Sequence, residues 1–89
     1  MRSIKRIKIS SRYKKSFKAL DPQIQEKAIE KINIFRENPF DSRLKTHKLH
    51  GKDKDCWAFW IDYRYRIKFT FLSDNEVLFL DIGTHDIYR

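Results

Sequence analysis

A single cysteine, Cys56, in 89 residues excludes an intrachain disulfide and fits a reducing compartment. It stands in an aromatic run and reads as a packing residue. Glycine is nearly as scarce: Gly51 and Gly83 alone cannot build a glycine-rich phosphate loop. No apolar run approaches the roughly 18 residues of a membrane helix, so no membrane partner is expected. The opening Met1-Arg2-Ser3-Ile4-Lys5-Arg6 lacks the apolar stretch of a secretion signal, which makes the cytoplasm the expected location. The carboxylate pairs of glycoside chemistry are missing, as is any Ser-His-Asp or Cys-His pattern. There is no internal repeat and no low-complexity segment.

Acids are also in short supply. Twelve Asp and Glu stand against 20 Lys and Arg, leaving a net charge of +8 and a pI near 9.8. In so small a chain this points to a polyanionic partner: nucleic acid, an acidic protein, or both. Aromatics are plentiful, with 7 Phe, 4 Tyr and 2 Trp, and 40% of residues are hydrophobic. That supports one packed domain over residues 1–89, with a modest core, and argues against disorder.

The hydrophobic pattern sets the expected order of elements. Ile7 and Ile9 at period two predict a first strand with a basic outer side. Ser10-Ser11 offers a helix cap, and Tyr13, Phe17 and Leu20 then recur at helical spacing for about three turns. Asp21-Pro22 starts a second helix, whose stripe is Ile24, Ala28, Ile32 and Phe35 and which Asn38-Pro39 ends. Residues 40–51 read as a loop anchored by Phe40, Leu44 and Leu49. Three strands follow: Cys56 to Ile61, a strand alternating Arg64, Arg66 and Lys68 with Tyr65, Ile67 and Phe69, and Val77 to Ile82. The expected fold is α+β, β-α-α-β-β-β, a helical hairpin on one face of a mostly antiparallel, twisted sheet.

Chemistry concentrates at the end of that pattern. Arg66 opens a hairpin that closes, just after Gly83, on His85 and Tyr88. Arginine steadies a phosphate charge, while histidine and tyrosine can move protons, the set needed to cut RNA without a metal. The alternative for Ile87 and Tyr88 is a tail strapped onto the core. Arg64, Arg66 and Lys68 on one strand face repel one another, so an RNA phosphate, an acidic partner, or Asp62 and Asp81 should stand opposite. His47 and His50 are three apart, but zinc takes about four ligands and no further signature is present. No metal and no cofactor are expected, and an RNA-contacting or proton-transferring role suits one of this pair. Lys52 and Lys54 add positive charge in the next turn. Trp57, Trp60, Tyr63 and Tyr65 stand among cations, a composition that grips unpaired bases, with core packing the reading for Trp57 and Tyr65. Trp60 lies on the opposite strand face from Trp57, so one of the two faces outward; Trp60 is the candidate to stack on a base.

With the turn Leu49-His50-Gly51, the strand Tyr65-Arg66-Ile67-Lys68-Phe69 and the ending Gly83-Thr84-His85-Asp86-Ile87-Tyr88 in place, the chain resembles the RelE/ParE superfamily of bacterial type II toxin–antitoxin toxins. The resemblance spans nearly the whole chain. Thr46-His47-Lys48-Leu49-His50-Gly51 and Gly83-Thr84-His85 are especially similar to the YafQ branch. It implies a RelE-like fold and a metal-independent, ribosome-dependent mRNA endoribonuclease that works on mRNA in the A site and leaves a 2′,3′-cyclic phosphate and a 5′-OH. It implies that Arg66 stabilises the phosphate, that His85 and His47 take part in proton transfer, and that Tyr88 acts on the scissile group. Arg64, Lys68, His50, Lys52, Lys54 and Trp60 would then contact RNA. A cognate antitoxin is the implied partner, with operator DNA reached through it. Two departures stand out: some relatives carry lysines where Trp57 and Phe59 occur here, and the YafQ branch has a histidine in place of Trp60. They leave the acid and base unassigned. They also keep open a ParE-like gyrase inhibitor without nuclease chemistry, or an inactive antitoxin-binding member.

Overall fold

Ser10 ends the first strand and begins the first helix. Its hydroxyl accepts the Tyr13 N–H at 3.0 Å and donates to the Leu80 carbonyl at 2.9 Å, so one side chain caps the helix and ties it to a distant strand. In the computed structural model, which describes residues 3–51 and 55–88 (Tyr88 by its backbone), β1 spans Arg6–Ile9 and α1 spans Ser11–Lys18. Lys15 and Lys18 lie in the last turn of α1, where cations suit the helix dipole. Leu20 falls beyond the helix but still packs on the core. Tyr13 is buried against the Phe79 ring, with centroids 5.3 Å apart, and burial pushes its phenol up to about 12.

The second helix, α2, covers Pro22–Glu37. Proline fits the first turn, but the expected Asp21 side-chain cap is not made; the Asp21 carbonyl instead accepts the N–H groups of Ile24 and Gln25, both at 3.0 Å. Asn38 is extended and Pro39 buried, which stops the helix where expected. Ile24, Ala28 and Phe35 are buried and Ile32 is partly buried. No helix among the described residues is long and apolar enough to cross a membrane.

The remaining strands are β2 (His47–Lys48), β3 (Trp57–Trp60), β4 (Arg66–Phe71) and β5 (Glu76–Gly83), with single 3₁₀ turns at Ser42–Leu44 and His85–Tyr88. The sheet order is β1-β5-β4-β3-β2, with β1 parallel to β5 and every other pair antiparallel. The α+β fold is as the sequence predicts. The segment 40–51, read as a loop, contributes one extra short edge strand, because His47 and Lys48 pair with Ala58 and Trp57. The first strand also differs from expectation. Ile7 packs on the core, but Ile9 is 50% exposed and Ile4 is buried instead. The chain leaves the sheet at Ser10 to enter α1, and Ile9 is left half exposed.

Four phenylalanines centre the core. The Phe35 ring of α2 lies 4.5 Å from Phe59, 4.9 Å from Phe69 and 5.7 Å from Phe79, so one helix residue touches three strands. Burying each ring contributes roughly 1.5–3 kcal/mol, with about 0.5–1.5 more for each well-placed ring pair. This fastens the helices to one face of the sheet and leaves the other face to Trp60, Arg66 and Lys68. A register shift between Lys68 and Phe69 leaves Leu80 of β5 as the extra residue of an irregularity in the pairing. Phe35→Ala is expected to lower unfolding free energy by about 3–5 kcal/mol, read as the shift of the urea midpoint, with an exposed phenylalanine such as Phe40→Ala costing far less.

Candidate functional site

The connection from β3 to β4 is a turn built on Asp62. Its Oδ1 accepts the N–H groups of Arg64 and Tyr65, both at 2.9 Å, and the Ile61 N–H donates to the Tyr65 carbonyl at 2.9 Å to close the hairpin. Asp62 Oδ2 lies 3.7 Å from Lys27 Nζ of α2. Burial by itself would raise the Asp62 carboxyl, but the Tyr65 and Arg64 N–H groups, with the charges of Lys27 and Arg64, outweigh it and hold the group below its ordinary value.

That turn aims Arg66. Arg66 Nη1 donates to the Asp62 carbonyl at 2.8 Å and to the Tyr65 carbonyl at 3.3 Å. Its guanidinium lies 4.0 Å from the Trp60 ring centroid, on the cross-strand partner of Arg66. Lys45 Nζ stands 5.7 Å from the same ring. Among the described residues Arg66 has no carboxylate partner, and its Nε and Nη2 have no protein acceptor. The guanidinium is therefore fixed from one side and able to hold an anion from the other.

On its other flank Arg66 pairs with Gly83, the last residue of β5. Beyond it the chain turns back: the Ile87 N–H donates to the Thr84 carbonyl at 3.0 Å. Ile87 lies so close over Gly83 that a Cβ there would stand 2.9 Å from Ile87 Cγ2, so glycine is what lets the tail fold down. The fold-back brings His85 beside Arg66. Tyr63, Arg64, Arg66, Thr84 and His85 line a cavity of about 310 Å³.

The other expected site residues divide. Lys68 lies one pleat along β4, in a separate concavity of about 430 Å³ with Ser10, Arg12, Cys56, Leu80, Asp81 and Ile87. His47 is exposed on edge strand β2, opposite Ala58, which in turn pairs with Lys68. His47 Nδ1 is 3.0 Å from the Lys45 carbonyl. A carbonyl only accepts, so Nδ1 carries the proton and Nε2 of the neutral ring is left as acceptor. His50 is exposed beyond the buried Leu49. Lys52, Lys54 and the Tyr88 side chain lie outside the described residues. Among the described residues no group of three or more His, Cys, Asp or Glu could hold a metal ion.

The two acids available to neutralise the basic strand are both bonded to the helices, although Asp81 also stands opposite Lys68 in register. Asp81 accepts Arg12 Nε at 3.1 Å and the Ser16 hydroxyl at 2.7 Å, both from α1, and Asp62 faces Lys27 of α2. Sequence reasoning missed Lys45, Thr84 and the cavity position of Tyr63. Thr84 was available as a neighbour of His85; Lys45 carried no signal, because its placement depends on a left-handed backbone with φ of 50°.

Asp62→Ala is expected to destabilise the fold by about 1–2 kcal/mol, since two turn N–H groups lose their acceptor. Asp62→Asn, which keeps Oδ1, should cost less. The sign with pH follows from the depressed carboxyl. Its contribution is complete above the ordinary carboxylate range near pH 4 and is lost as pH falls through the lower folded value. Urea midpoints measured down the acid range should therefore fall less steeply for Asp62→Asn than for the parent.

A scan of protein-family models finds no match to the chain, and a search of curated proteins finds none either. Solved structures do match. A YoeB/ParE toxin from Agrobacterium tumefaciens superposes with a TM-score of 0.75 at 17% identity, over 90% of this chain and 98% of that one. YafQ from the Escherichia coli DinJ–YafQ toxin–antitoxin complex gives 0.73 at 21% identity, over 91% and 92%. An archaeal RelE–RelB complex from Pyrococcus horikoshii gives 0.70 at 19% identity, over 94% and 96%. The chain has the fold of these toxins.

Proposed function

We propose that this chain is the toxin of a type II toxin–antitoxin system and that it cleaves mRNA in the ribosomal A site without a metal. The observation that carries the reading is the shared cavity in which Arg66, fixed by the Asp62 turn and the Trp60 ring, meets His85 on the folded-back tail. The likeness to YoeB/ParE, YafQ and RelE toxins supports it, as does the net charge of +8.

In this reading the 2′-oxygen of the substrate attacks the adjacent phosphorus while a base takes its proton. The bond from phosphorus to the 5′-oxygen breaks, and an acid protonates the leaving oxygen. The products are a 2′,3′-cyclic phosphate and a 5′-OH. Arg66 holds the negative charge that builds on the phosphoryl oxygens, which is the largest single contribution such a site can make. His85 supplies one proton transfer. The second falls to His47, whose Nε2 is the acceptor, or to Tyr88. Arg64, Lys68, His50, Lys52, Lys54 and Trp60 belong to the RNA-contacting surface.

The partner is a cognate antitoxin whose acidic or amphipathic segment covers the face around Arg64 and Arg66, with operator DNA bound through it. The complexes of YafQ with DinJ and of RelE with RelB support such a partner.

The test is incubation of the purified protein with programmed ribosomes, followed by mapping of new 5′ ends. The parent should cut within the A-site codon. Arg66→Ala and His85→Ala should each slow cutting by about 10²-fold or more, with far-ultraviolet circular dichroism unchanged. Absence of cutting, or cutting by both variants at the parent rate, overturns the nuclease reading. Inhibition of DNA supercoiling that survives His85→Ala would put gyrase in its place.

A further inference from the structure

The rim of the cavity carries a feature that phosphate binding and proton transfer do not use. Tyr63 is 74% exposed, the most exposed of the large hydrophobic side chains among the described residues. It is not on a remote loop. It follows Asp62 in the turn that aims Arg66, and it lines the cavity with Arg64, Arg66, Thr84 and His85. The Arg64 guanidinium lies 5.6 Å from the Tyr63 ring centroid and 5.6 Å from that of Tyr65. The surface therefore reads aromatic, cation, aromatic, with the phosphate-holding Arg66 next to it. Such interleaving grips an unpaired nucleotide, the ring taking the base and the guanidinium its phosphate.

We propose that Tyr63 is the base-stacking subsite of this protein: an unpaired nucleobase of RNA lies on its ring while the phosphate attached to that nucleotide sits on Arg64 and Arg66. The ligand class rests on the RNA-cleaving reading above, but the test below needs no cleavage. Trp60, the aromatic that the sequence singles out for stacking, is less suited. Arg66 lies against its ring at 4.0 Å and Lys45 at 5.7 Å, so it serves as the platform for the arginine. Tyr65 is half-buried and packed against the core. Stacking by Tyr63 needs no hydrogen bond to the base edge, so the subsite accepts any base, with larger ring systems held more tightly.

The experiment is fluorescence anisotropy of two labelled six-unit probes at fixed salt. One is hexa-adenylate RNA, and the other is an abasic ribose-phosphate hexamer with the same charge. The full chain and its variants Tyr63→Ala and Tyr63→Phe are compared. The parent should bind hexa-adenylate more tightly than the abasic probe. Tyr63→Ala should lose roughly 5- to 150-fold of affinity for hexa-adenylate and leave the abasic probe unchanged. Tyr63→Phe should bind both as the parent does. Because tyrosine carries no charge, the salt dependence of binding should keep its slope in Tyr63→Ala. Equal binding of the two probes by the parent overturns the proposal, and so does undiminished hexa-adenylate binding by Tyr63→Ala. Failure of the nuclease reading would appear separately, as uncut mRNA on ribosomes. An exposed residue of this kind is a safe site to truncate, and unchanged urea midpoints would confirm that folding is not what was lost.

Discussion

The Phe35 ring lies against Phe59, Phe69 and Phe79, on three different strands, and that contact decides which face of the sheet the helices cover. Strand side chains alternate, so burying Ile67 and Phe69 of β4 obliges Arg66 and Lys68 to face the other way. The same parity places Trp60 beside Arg66, its partner in register. A packing contact on one side of the sheet therefore creates a charged surface on the other.

How that charge is managed matters as much. A carboxylate opposite Arg66 would neutralise it and occupy the site, but Arg66 stands opposite Gly83, and the carboxylate in register with Lys68 is Asp81. Asp81 takes Arg12 and Ser16 of α1, and Asp62 takes Lys27 of α2 together with two backbone N–H groups. Both acids thus fasten the sheet to its helices, while the guanidinium of Arg66 is steadied by carbonyl oxygens and an aromatic ring. Carbonyl dipoles and ring quadrupoles orient a cation without cancelling its charge. An arginine held in this manner stays attractive to a phosphate and pays little conformational entropy when one arrives.

Much of this was legible before the structure. Helix starts at Ser10 and Asp21-Pro22, the stop at Asn38-Pro39, and the alternation of β3 to β5 follow from short-range rules that a single sequence obeys. The convergence of Arg66 and His85 was legible because both flank one hairpin: β4 and β5 are antiparallel neighbours, so the start of one meets the end of the other. Long-range placements were harder. The pairing of His47 and Lys48 with β3 needs tertiary contact to form, since two residues have no periodicity to read. Ile9 repeats at period two like a core residue, yet it is half exposed where the chain departs at Ser10. Lys45 reaches Trp60 only through a left-handed backbone that no side-chain pattern announces.

The segment that follows β5 carries His85 and is fastened to the sheet. Here the fastening is Ile87, seated over Gly83, with the Ile87 N–H returned to the Thr84 carbonyl. His85 lies between these two anchors and is exposed on the cavity side. Gly83 thus serves two neighbours at once. Its missing side chain admits Ile87 on the sheet face, and its backbone position opposite Arg66 sets how far the tail starts from the guanidinium. A Cβ at position 83 would stand 2.9 Å from Ile87 Cγ2, so Ile87 would have to shift. The strap and the site are therefore one device: an apolar residue that looks like mere tail packing is what holds the histidine next to the arginine.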